Sequence, residues 1–237
     1  VVNAIKDNKI GGDVYFFSNA GIAVGSHGVF NVGRLTLGTN TAVGDALYNG
    51  HYFVPSQSGP VQVNFDRDKD FYQKSPAERA RLLNDSSLWG GNTAGDAGIS
   101  FAGKINAKDS VVIASAKSTI SQTDGMIQTG AAFHDYTAGQ SADTYRNSLV
   151  NTAGIVDATT GVATKGDGMI SIKDAYIDSS SEKKDSGKID ITAVRNVMGV
   201  SRIDVDDATI TAEGKSGHKA GDVSIHATAA TKLYAWD

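Results

Sequence analysis

The side chains that could do chemistry fall into a few groups, and spacing judges each. Asp66-Arg67-Asp68-Lys69-Asp70 repeats the first three ligand positions of a calcium loop, but Phe71 stands where such a loop needs glycine, and Ala77 where it needs the bidentate glutamate. A solvated loop whose charges pair with one another fits this mixed run better. Asp204, Asp206 and Asp207 could supply the two carboxyl groups that glycoside hydrolysis holds about 5–9 Å apart. Asp204 and Asp206 share the outward face of a strand, yet no aromatic sugar platform adjoins them in sequence, so solubilising charge is the simpler reading. His27, His51, His134, His218 and His226 show neither HxxxH nor HExxH spacing, and no metal site is expected. A cysteine nucleophile is impossible, and no GxSxG elbow occurs. Gly21, Gly25 and Gly28 form GxxxGxxG, which is not the dinucleotide fingerprint. The remaining group is of recognition type: Tyr48, His51, Tyr52 and Phe53 before Pro55, with Trp89 further on. Such aromatics favour binding surfaces, or they dock one segment on another; both readings stay open. No catalytic residue and no cofactor is expected.

Composition narrows the partners. Among 237 residues, 26 acidic against 22 basic side chains give a formal charge of −4, so no basic field draws the chain to nucleic acid or anionic lipid. The longest apolar run, Val111-Val112-Ile113-Ala114, falls far short of the roughly 18 residues a spanning helix needs, so no membrane insertion is expected. Val1 to Lys6 carry no signal-peptide pattern, and a start without Met suggests a piece of something longer. Absence of cysteine suits an exported bacterial surface protein.

The elements that must position these residues read as short strands. Val14 and Phe16, Ile22 and Val24, Val29, then Leu35 and Leu37 alternate with polar or small residues, with Ser18-Asn19, Gly25-Ser26 and Gly33 as corners. An internal repeat follows. Ile170-Ser171-Ile172-Lys173-Asp174-Ala175-Tyr176-Ile177 and Ile203-Asp204-Val205-Asp206-Asp207-Ala208-Thr209-Ile210 share I-x-[IV]-x-D-A-x-I at an offset of about 33. Each copy runs through a polar loop into a second strand, Ile189–Thr192 and Val223–His226, displaced by one more residue. A weaker third copy is read at Val111 to Ile120, preceded by Ile99-Ser100-Phe101. Apolar residues on one side of each strand and polar ones on the other imply stacked coils with a dry interior. The expected fold is therefore all-β, a right-handed parallel β-helix. A sandwich would need hairpin turns, and only Asn49-Gly50 offers one.

Two segments break the strand pattern. Ser75-Pro76-Ala77-Glu78 reads as an N-cap, a first-turn proline and a capping-box glutamate, predicting a helix from about Pro76 to Asn84 whose Ala80 and Leu83, with Leu88-Trp89, lie against the coils. Ala138 to Asn151 reads as a second short helix or ordered loop. Insertions of this kind gather on one face of a solenoid and often carry recognition.

Residues 13 to 40 are more specific. Asp13-Val14-Tyr15-Phe16-Phe17-Ser18-Asn19-Ala20-Gly21-Ile22-Ala23-Val24-Gly25, followed by Val29-Phe30-Asn31-Val32-Gly33-Arg34-Leu35, resembles the haemagglutination-activity region of filamentous haemagglutinin-like adhesins, the exoproteins of bacterial two-partner secretion. In that family a VYLINPNGI-type strand precedes a GxxVNVGGL-type stretch. Here Ser18-Asn19-Ala20 replaces Asn-Pro-Asn, Gly21-Ile22 is kept, and Arg34 stands at the second glycine. The resemblance makes Ser18, Asn19, Ala20, Gly21, Ile22, Gly25, Asn31 and Gly33 motif residues, with Gly21, Gly25 and Gly33 at corners. It implies one continuous solenoid: 1–60 the end of the secretion-type region, 61–98 an insertion with a short helix, and 99–237 further coils. It also implies a non-enzymatic segment of a large adhesin, secreted or displayed on the bacterial surface as a virulence factor. An outer-membrane transporter would be the partner during export, and a host-cell or bacterial surface receptor, glycans included, the partner afterwards. The alternatives are a purely structural secretion segment and, behind it, a polysaccharide-acting β-helix enzyme.

Overall fold

The computed structural model describes residues 1–6, 9–54, 56–59, 61–71, 73–74, 78, 82, 98–115, 120–129, 155–160, 168–181, 185–195 and 201–229. The fold is all-β with short helical segments; the large sheets are parallel throughout, and β2 (Ile5–Lys6) and β3 (Lys9–Ile10) form a separate antiparallel pair. One sheet has five strands in the order β5 (Ile22–Val24), β9 (Ile99–Phe101), β11 (Ile120–Thr123), β14 (Gly168–Lys173) and β17 (Ser201–Asp206). The other has ten strands, and β6 (Val29–Gly38) and β10 (Lys104–Ser115) run through both of its arms. On one arm they pair with β1 (Val2–Asn3) and β12 (Met126–Thr129), which leads to β15 (Tyr176–Asp178) and β18 (Thr209–Thr211). On the other they pair with β4 (Asp13–Phe17) and β13 (Ile155–Thr160), which leads to β16 (Ile189–Arg195) and β19 (Val223–Ala229).

Register stacks like on like. Ile22, Ile99, Ile120, Ile170 and Ile203 form one column, and Phe30, Ile105, Ile127, Ile177 and Ile210 another. Because strand side chains alternate faces, these columns share one interior with Val32, Leu35, Leu37, Val111 and Ile113. Each such buried aliphatic side chain contributes about 1.5–3 kcal/mol. The two repeat copies pair as aligned, Ile170 with Ile203 and Ile177 with Ile210, and the second strands pair Ile189 with Val223.

The third copy lies elsewhere than expected. Ile120 to Ile127 is the segment in register with Ile170 to Ile177, whereas Val111 belongs to the other arm, opposite Leu35 and Ile155. Its pattern was hidden because Gln122 occupies an inward apolar position and Gly125 the alanine position. The repeat's aspartate has a backbone reason: Asp124, Asp174 and Asp207 all take left-handed conformations, at φ 56°, 49° and 46°. Apart from glycine, Asp and Asn visit this region most readily, which suits them to the corner between two strands.

Gly33 is not a corner. It lies inside β6, where a Cβ would come 2.7 Å from the backbone nitrogen of Gly12, so it serves close approach rather than a turn. Gly25 borders the turn at Ser26-His27 without positive φ, and Gly21 alone of the three is left-handed, at φ 91°. Asn49-Gly50 is likewise no hairpin turn. It ends a helix that the sequence reading did not anticipate, α1 (Thr41–Asn49), with Gly50 left-handed at φ 72° and its N–H bonded to the Ala46 carbonyl at 2.8 Å. Of the predicted helix 76–84 only Glu78 and Leu82 are among the described residues, and both are helical. Trp89 and the segment 138–151 lie outside them.

A second core lies on the outer side of the ten-stranded sheet. Val43, Ala46 and Leu47, spaced i, i+3, i+4 on α1, pack with Phe65, Phe71 and Leu82 over Val112 and Ala114. Strand β10 is thus apolar on both faces: Val111 and Ile113 face the interior, Val112 and Ala114 the insertion.

Candidate binding surface

Helix α1 opens the segment that carries the expected recognition residues. Phe17 of β4 packs against it, and this seat requires two glycines: a Cβ would come 2.5 Å from the Phe17 ring at Gly38 and 2.8 Å at Gly44. After Gly50 the chain forms an antiparallel hairpin, β7 (His51–Val54) with β8 (Val61–Asn64), closed by the Phe65 N–H donating to the Gly50 carbonyl at 2.7 Å. A π-helical turn, Arg67–Phe71, follows and drives Phe71 into the second core.

The aromatic cluster divides between docking and display. Tyr52 is half-buried, stacked edge-on against Phe65 at 5.5 Å, and Phe65 meets Phe71 at 6.4 Å. Tyr52 therefore holds the insertion in place. Tyr48, at the end of α1, is 86% exposed. His51 and Phe53 stack edge-on at 5.8 Å on one face of the hairpin, opposite Asn64 and Gln62, while the edge pair Val54 and Val61 is exposed.

The motif residues sit apart from this cluster. Ser18 to Gly21 form a turn in which the Gly21 N–H donates to the Ser18 carbonyl at 3.2 Å. Ala20, Gly21 and Ile22, with Ala23, Gly98 and Ser100, line an open groove of about 340 Å³. Asn31 is buried within an amide ladder: its Nδ2 donates to Asn3 Oδ1 at 2.7 Å, and Asn106 Nδ2 donates to Asn31 Oδ1 at 2.8 Å. The ladder ties the first three rungs of one arm together, and charge-free amides make it insensitive to salt. Arg34 reaches Asp13 at 3.5 Å on the neighbouring strand.

The carboxylates considered for chemistry have ordinary partners. Asp66 and Asp70 accept backbone N–H bonds inside their own turn, from Lys69 at 3.1 Å and Asp66 at 2.8 Å. Asp204 accepts from Arg202 at 2.7 Å, and Asp206 lies 3.8 Å from Lys173. Both face outward, as their alternation with Ile203 and Val205 requires. Among the described residues no three His, Cys, Asp or Glu side chains are grouped to hold a metal ion, and no helix is long and apolar enough to cross a membrane. The Tyr176 phenol is pushed above its usual pKa, first by burial, then by the charge of Asp178, to which it donates at 3.2 Å, and by Glu213.

Comparison with family models, curated proteins and solved structures finds no match to this chain.

Proposed function

We propose that this chain is a non-enzymatic segment of a large bacterial adhesin, secreted or surface-displayed, in which a right-handed parallel β-helix carries an attachment surface. The observation that carries this reading is the insertion seated on β10: an apolar underside fixed by Val112 and Ala114, with Tyr48 projecting into solvent and the His51–Phe53 pair beside it. An exposed aromatic on a rigid base contributes large contact area at low entropic cost. Stacked parallel ladders suit a stalk, since rungs add length without new folding problems, and many weak contacts then act together. The resemblance of residues 13 to 40 to the haemagglutination-activity region supports export by an outer-membrane partner.

The Asn3-Asn31-Asn106 ladder, buried at Asn31 and Asn106, favours one second reading, a structural segment that nucleates the coils and leaves attachment to other regions. One experiment separates the two. Labelled chain is applied to epithelial cells and immobilised glycans, with released reducing sugar followed in the same wells. Saturable retention that Tyr48→Ala lowers several-fold, at unchanged thermal stability, supports attachment. No retention and no sugar release support the structural segment, and retention that the substitution leaves untouched puts attachment on this chain away from Tyr48. Sugar release overturns both.

A further inference from the structure

We draw no further inference here: the strongest candidate, the face of the β7–β8 hairpin on which His51 and Phe53 stand opposite Asn64 and Gln62, belongs to the attachment surface already described, and nothing in the structure shows what covers it.

Discussion

Replacing Gly125 by alanine should destabilise the chain, chiefly because of Phe101, with Gln122 Cγ at 3.2 Å from the new Cβ a lesser contact. In the next two copies of the repeat this position is alanine, Ala175 and Ala208, and the inward residue one rung earlier is Gln122 and Ile172 respectively. Here that residue is Phe101, buried, and a Cβ on Gly125 would lie 2.9 Å from its Cδ1 and 3.0 Å from its Cε1. Carbon atoms rest at about 3.5–4.0 Å, so the ring or the strand must yield by more than half an ångström. Overpacking of this kind costs about 1–3 kcal/mol, while replacing glycine by alanine returns about 0.4–1 kcal/mol through the unfolded chain. The net loss is about 1–2 kcal/mol, or a fall in Tm of about 2–8 °C at this chain length. With Phe101→Ile the ring is gone, and Gly125→Ala should become neutral or stabilising. Urea unfolding of the parent, both single variants and the double variant gives the coupling, expected at about 1.5–3 kcal/mol. Equal loss in both backgrounds would refute the packing account and point to the backbone at Gly125.

Other expectations follow from the same columns. Gln122 is buried at an inward position and its Nε2 has no partner among the described residues, so Gln122→Ile should stabilise by about 1–3 kcal/mol in urea unfolding. Gly33→Ala should cost about 1–3 kcal/mol, because the obstructing atoms are Gly12 backbone, and hydrogen exchange at Arg34, whose N–H bonds the Gly12 carbonyl at 3.1 Å, should quicken. The raised pKa of Tyr176 means that its phenol is favoured neutral in the folded state, so the stability it lends is present below the ordinary tyrosine value and is lost as pH rises through the higher folded one. Tyrosinate absorbance should accordingly show a late-ionising component that Tyr176→Phe removes, and Asp178→Asn should bring it earlier.

Strand periodicity was legible wherever outward residues are polar. Ile170 to Ile210 could be aligned from sequence because each inward position is aliphatic and each corner is aspartate, and the pairing follows that alignment residue for residue. The copy at Ile120 escaped because two local accommodations, Gln122 and Gly125, removed both marks. Helix α1 escaped for another reason: Asn49-Gly50 suits a hairpin and a helix end alike, and only the spacing of Val43, Ala46 and Leu47 decides between them. Within the aromatic cluster, residue type alone could not separate Tyr52 from Tyr48. One reaches Phe65 and the other does not, and that difference arises from the hairpin and helix on which they ride.

The position of the insertion was written in a run that composition treats as ordinary. A strand with one wet face alternates apolar with polar, and β6 keeps that alternation in sequence at Leu35-Thr36-Leu37, although Thr36, on the outer face, is itself fully buried. One rung on, the residues opposite are Val111-Val112-Ile113, and the outward member has become valine. Exposed, Val112 and Ala114 would form an apolar stripe on the outer wall; covered by Val43 and Leu47 they become the floor of a second core. The chain leaves the ladders at Thr39, whose N–H already bonds the Ala114 carbonyl of the next rung at 3.2 Å, and it returns at Gly98, whose carbonyl receives the Ile22 N–H at 3.1 Å. Both junctions are thus tied to the rung that the insertion must cover. An unbroken apolar run on one strand, beside an alternating run on its neighbour, marks where a loop sits before any loop residue is considered.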